Sequence, residues 1–227
     1  MLSRRALHTA RTALWITCGW IGAALLVHWI VRRVPTHLAR ELTAIHGDSY
    51  VAAPVFGRPP LAAQGQLDII AAGPQAALKT CDPLLRVLGK QVFIVGEEPA
   101  KANAVKIARN FLLATMIESL GEAFALVRKC GVEPQKFLDV IGGTSLGSPA
   151  CKNYGKLIVE EAWMPAQFAM PLGVKDVDLA LATAQDAGMD LELAGLVRKN
   201  LLAAIAAGRG EQDWAALAGH IAVEAGL

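Results

Sequence analysis

From about residue 100 to residue 130 the chain reads as one helix that ends at Gly131, roughly thirty residues long. Few globular domains hold so long a helix, because most of its stability must come from packing rather than from intrinsic propensity. A body of further helices is therefore expected around it, and the downstream pattern supplies one. "EPQKFLDVIGG" starts with Pro134. "SPACKNYGKLIVEE" offers Ser148 as a cap and Pro149 in the first turn. Residues 171–188 and 191–208 each end at a glycine, and "DWAALAGHIAVEAGL" closes the chain. Everything after Gly96 is predicted to be helical.

The texture before Gly96 is different. "THLARELTAIHG" is a short helix with Thr36 as its cap, an apolar stripe of Leu38, Leu42 and Ile45, and Gly47 as its stop. Residues 50–57 read as a strand running into the loop "APVFGRPP", and residues 65–73 as a second strand between glycines. "PQAALKTC" and "DPLLRVLG" are helical, with Asp82-Pro83 restarting the helix. "QVFIVG" (91–96) is a third strand. The expected fold class is α+β: a partial α/β layer of about three strands, followed by a larger all-α domain with one long helix.

Residues 1–34 match neither part. Residues 14–31 carry no formal charge at neutral pH and are flanked by arginines on both sides. Eighteen helical residues span roughly 27 Å, about the width of a hydrocarbon core. On pattern alone this is a candidate transmembrane helix. A shifted or truncated reading frame whose translated upstream bases happen to be apolar is the competing reading, and a divergent helix packed on the sheet is the third. The organisation expected is therefore 1–34 atypical, 35–98 an α/β layer and 99–227 all-α.

Charge and cysteine placement narrow the function classes. Residues 1–33 hold five arginines and no acid, so the remainder has 17 basic against 20 acidic residues. That body has no basic footprint for nucleic acid. Cys18, Cys81, Cys130 and Cys151 are scattered without C-x-x-C spacing, as expected of thiols in a reducing compartment. The histidines form no ligand-spaced pair, so no metal site is expected.

Three features carry possible chemistry. Asn103, Lys106 and Asn110 recur at i, i+3 and i+7 on one face of the long helix. A lysine is a poor base at neutral pH but a useful proton donor, and Asn110 can orient it or hold a substrate oxygen. In the loop, Gly57 permits close backbone approach and Arg58 can grip a carboxylate bidentately. Lys175 and Asp176 sit together near a helix start. Taken singly, each has an ordinary alternative: a surface lysine, a strand-to-turn junction, solvated first-turn charges.

Together, "YVAAPVFGRPPLAAQGQLDIIAAG", "VFIVGEEPAKANAVKIARNFL" and "PLGVKDVDLAL" resemble, in order and spacing, the β-hydroxyacid dehydrogenases. These include 3-hydroxyisobutyrate dehydrogenase, tartronate-semialdehyde reductase and the glyoxylate/succinic semialdehyde reductases, and the resemblance covers about residues 35–220. It implies a Rossmann remnant followed by a helical domain like the carboxy-terminal domain of 6-phosphogluconate dehydrogenase. It implies NAD or NADP as cofactor and hydride transfer to or from a small β-hydroxyacid or semialdehyde. The family's catalytic lysine falls on Lys106 and its accompanying asparagine on Asn110. The substrate-anchoring loop falls on Ala53–Arg58, which holds Pro54, Val55, Phe56, Gly57 and Arg58. The lysine near the nicotinamide falls on Lys175. The resemblance also implies a cytoplasmic homodimer that pairs through the helical domain, with membrane anchoring by residues 14–31 as the alternative.

Departures from the family pattern shape the expectations. The family loop has Ser-Gly-Gly after Pro-Val where this chain has Phe56-Gly57-Arg58, which points to a more apolar substrate or one held by Arg58. Glycines that precede the family lysine are Ala100 and Ala102 here. No G-x-G-x-x-G occurs before residue 50, so the pyrophosphate cradle is missing and weak nucleotide binding is expected. A non-catalytic dimerisation remnant, or a single-pass membrane protein carrying it, are the alternatives.

Overall fold

The computed structural model describes residues 36–57 and 59–227. The apolar stretch 14–31, Cys18 and the candidate Arg58 lie outside the described residues. Two compact units divide the chain between Lys106 and Ile107.

The first unit holds α1 (Thr36–His46), β1 (Val55–Phe56), α2 (Pro59–Ala63), β2 (Leu67–Ala72), α3 (Gln75–Leu88), β3 (Gly89–Gly96) and the first turns of α4 (Pro99–Lys129). The three strands form one sheet in the order β1-β2-β3. β1 runs antiparallel to β2 with Val55 opposite Ile69, while β2 and β3 are parallel and joined by the α3 crossover. Successive side chains of a strand point to opposite faces, and the central strand buries both. Leu67, Ile69 and Ala71 pack with Val55, Leu78 and Leu85 on one face. Ile70 and Ala72 pack with Ala52 and Ala102 on the other. Ala102 is what seats the start of α4 on the sheet, so the unit extends past the change in sequence texture at residue 98.

Three local expectations are corrected here. The strand expected over 50–57 shrinks to Val55–Phe56 plus a bridge between Ala52 and Ala72. Pro54 explains this: its carbonyl accepts from Ile70 N at 2.9 Å, but it has no N–H to continue the ladder. The residues after Gly57, expected to be loop, include the short helix α2. α3 does not restart at Asp82-Pro83 but runs unbroken through Pro83. Leu78 and Leu85 bury on the same sheet face on either side of the proline, and Arg86 Nε donates to Asp82 Oδ2 at 2.7 Å. These contacts outweigh the one backbone bond that proline removes.

The second unit is helical: the rest of α4, then α5 (Pro134–Gly143), α6 (Pro149–Val159), α7 (Met170–Asp186), α8 (Glu192–Ala204) and α9 (Leu217–Glu224). Ser148 caps α6 as its sequence predicts, its Oγ accepting from Cys151 N at 3.1 Å. α8 widens over Ile205–Arg209, and the helical backbone breaks at Gly208 (φ 87°), the glycine expected to end it. One contiguous core includes Ile117, Phe124, Met170, Val177, Leu201, Trp214 and Leu217. α4 and α9 approach closely at Gly121, where a Cβ would come within 3.0 Å of the Ala218 Cα. By length and composition α4 could cross a membrane, yet Ile107, Ala114, Ile117, Leu120 and Phe124 are buried in the protein.

Polar groups inside this unit are mostly satisfied. Asp213 Oδ2 accepts from Gln167 N and Phe168 N, each at 3.0 Å, and its Oδ1 accepts from Ala215 N at 3.1 Å. The neighbouring Trp214 indole donates to the Tyr154 hydroxyl at 3.0 Å. Cys81, Cys130 and Cys151 are free, and burial pushes the Cys151 thiol up from its ordinary value.

Candidate active site

Lys106 follows Ala102 by one helical turn, so seating Ala102 on the sheet brings the lysine over β1. Its Nζ donates to the Val55 carbonyl at 2.6 Å and lies 4.5 Å from the centre of the Phe56 ring. Both are contacts that suit an ammonium: a carbonyl lone pair and the negative face of an aromatic ring. Two residues of the expected substrate loop, Val55 and Phe56, therefore meet the expected proton donor. Pro54 and Val55 are buried, Phe56 is half-buried and Gly57 is exposed. Gly57 sits at φ 143°, and a Cβ there would fall 2.5 Å from Leu67 Cδ2, so the loop needs glycine at this position.

Asn103 shares the Lys106 face of α4. It is only 5% exposed, and its Nδ2 has no hydrogen-bond partner among the described residues.

In the helical unit a second polar group assembles. Asn110 Nδ2 donates to Asp176 Oδ2 at 3.0 Å, and Lys175 Nζ pairs with Asp176 Oδ1 at 3.0 Å. The buried carboxylate of Asp176 thus holds both candidate residues, one with each oxygen. Sequence reasoning noted Asp176 only as the neighbour of Lys175. It had no signal for the Asn110 contact, which joins residues 66 positions apart. Lys106 and Asn110 remain one turn apart along α4. Among the described residues no cluster of histidine, cysteine or carboxylate side chains is arranged to hold a metal ion.

Comparison with known proteins bears on both units. The family model for the NAD-binding region of NADP-dependent 3-hydroxyisobutyrate dehydrogenase matches residues 100–221, and that for the NAD-binding domain of 6-phosphogluconate dehydrogenase matches residues 34–96. The oxidoreductase YfjR of Bacillus subtilis is 43% identical over 194 residues, which cover 84% of this chain and 68% of that protein. The 2-(hydroxymethyl)glutarate dehydrogenase of Eubacterium barkeri is 32% identical over 78% of this chain and 58% of its own length. Among solved structures, the 3-hydroxyisobutyrate dehydrogenase of Salmonella typhimurium superposes with a TM-score of 0.73 at 26% identity, over 82% of this chain and 66% of that one. The chain spans between about half and two thirds of the length of such relatives.

Proposed function

The chain belongs to the β-hydroxyacid dehydrogenases, a family of NAD(P)-dependent oxidoreductases, and on that premise we propose that it interconverts a small β-hydroxyacid and its semialdehyde or ketone. The observation that carries the reading is Lys106, an ammonium held against the Val55 carbonyl and the Phe56 ring at the loop expected to grip substrate. NAD(P)H, when bound, supplies the hydride that reaches the carbonyl carbon. Lys106 Nζ gives its proton to the carbonyl oxygen as the C=O π bond breaks, so the negative charge developing there is first stabilised and then neutralised. The lysine recovers a proton from solvent, and in oxidation the same group accepts the hydroxyl proton. The Val55 carbonyl keeps Nζ in place in both protonation states, since ammonium and amine alike can donate to it.

Asn110 is the proposed orienting residue, with its amide fixed by Asp176. Val55, Phe56 and Gly57, with Pro54 behind them and Arg58 after them, form the proposed substrate loop. An aromatic ring where the family has a serine hydroxyl favours an apolar branch on the substrate. Lys175 is the proposed nicotinamide-side lysine, and its Asp176 partner sets where the ammonium sits.

The residues present fit the nicotinamide end of the cofactor, since the buried and unpartnered amide of Asn103 accords with a ligand oxygen near Lys106. Steady-state assays with NADH and NADPH against a panel of semialdehydes test the reading. Lys106→Met is expected to lower kcat by about 10²- to 10⁴-fold with KM little changed. A loss under tenfold removes Lys106 from the chemistry.

A second reading has its own support. Leu112 and Leu126 on α4 are 63% and 65% exposed, an apolar display that suits pairing of two helical units. We propose a homodimer through this unit, cytoplasmic in location, with a membrane anchor in residues 14–31 as the alternative location. A dimer by light scattering with no turnover on any substrate favours a purely structural role.

A further inference from the structure

We propose that Asn103 is a ligand-binding residue whose side-chain amide donates to an acceptor oxygen, either of the substrate carboxylate or of the nicotinamide carboxamide. The inference rests on the dehydrogenase reading above and adds a residue to it.

A buried amide with an unused N–H is rare in folded proteins, because the group loses its water and gains nothing in return. Asn103 is in that position: 5% exposed, with no partner for Nδ2 among the described residues.

Its place in the fold supplies the second argument. α4 starts three residues after Gly96, the last residue of β3, so Asn103 lies in the second turn beyond the carboxyl end of the parallel pair β2 and β3. Open α/β sheets bind their ligands at the carboxyl ends of such strands. Asn103 also precedes Lys106 by three residues, which puts both on one helical face. Among the described residues Nδ2 finds no protein acceptor. The missing acceptor therefore comes from a ligand, and the neighbouring ammonium of Lys106 favours an oxygen that carries negative charge or a strong dipole.

The test uses the full chain and two variants, Asn103→Leu and Asn103→Asp. NADH and NADPH are titrated by fluorescence, and 3-hydroxyisobutyrate and 2-(hydroxymethyl)glutarate by calorimetry. Melting temperatures are recorded without ligand. If the acceptor is the carboxylate, both variants weaken hydroxyacid binding at least tenfold and leave the nucleotide Kd unchanged, with Asn103→Asp worse because like charges meet. If it is the carboxamide, nucleotide affinity falls at least tenfold instead. In either case ligand-free Asn103→Leu melts no lower than the parent, and about 2 °C higher if the unused donor is a net cost. Affinities within twofold of the parent in both variants overturn the proposal, as does a ligand-free Asn103→Leu that melts several degrees lower while binding unchanged. A parent chain that binds none of the four probes overturns the dehydrogenase reading and this inference together. A parent that binds while both variants bind equally well overturns only this inference.

Discussion

In the helical unit the buried carboxylate of Asp213 accepts three backbone N–H groups, whereas in the sheet unit the buried amide of Asn103 has an N–H with no partner among the described residues. The apolar surroundings differ in the same sense. Among the described residues, the buried side chains of the helical unit form one contiguous core, while those of the sheet unit lie in two clusters, one on each face of the sheet. Strand β3 leaves Ile94 56% exposed, while Ile69 of β2 is 1% exposed. A scaffold gains by closing every polar account within itself; a binding region must leave donors open for what it binds. On the proposals above, the closed Asp213 cluster serves stability and the open donor of Asn103 serves recognition.

The sharpest way to break this contrast is Asp213→Ala, which strips three backbone donors of their acceptor. A loss of about 3 kcal/mol or more is expected in denaturant unfolding, against little or none for Asn103→Leu. Equal losses at the two positions would erase the distinction.

Next in size is Gly57→Ala. Both the positive φ and the approach to Leu67 Cδ2 oppose a Cβ, so a loss of about 2 kcal/mol is expected, together with a displaced Phe56. Substrate KM should rise more than nucleotide Kd. An unchanged KM would separate the loop from substrate binding.

Glu118 gives the smallest effect and refines the comparison, because it is an exception within the helical unit. Its Oε1 accepts from Asn200 Nδ2 at 2.6 Å, but the buried Oε2 has no partner among the described residues. Burial pushes the carboxyl above its ordinary value of 4.5, and the nearby Glu122 adds to the rise, while the Asn200 bond opposes it. A folded pKa above the unfolded one means that the folded state binds more protons in the interval between them. Stability from this group is therefore complete below about pH 4.5 and is lost as pH rises through the raised value. Glu118→Gln should be neutral at pH 4 and stabilising by about 1 kcal/mol at pH 8, checked by urea unfolding at both. A destabilised variant at pH 8 would show that the charge itself is needed.

Much of this was legible in the sequence, and for a shared reason. The stop at Gly131, the Ser148 cap, the strands around 67–72 and 89–96, and the Lys106–Asn110 spacing all depend on residues within a turn or two of each other. At Pro83 and Asp176, where local reading failed, a distant contact had intervened. Pro83 was read as a restart, but burial of Leu78 and Leu85 on the sheet carries α3 through it. Asp176 was passed over because its partner Asn110 lies 66 residues away.

The sequence by itself determined the two-part architecture, the stop at Gly131, the Ser148 cap and the positions of Lys106, Asn110 and Lys175, since period, caps and motif spacing are short-range properties. Only the tertiary structure decided that Val55 and Phe56 hold Lys106, that Asp176 holds Asn110 and Lys175, and that Asp213 is satisfied while Asn103 is not. Whether a buried polar atom finds a partner depends on which distant backbone and side-chain groups packing brings within about 3 Å of it, and no local pattern carries that information.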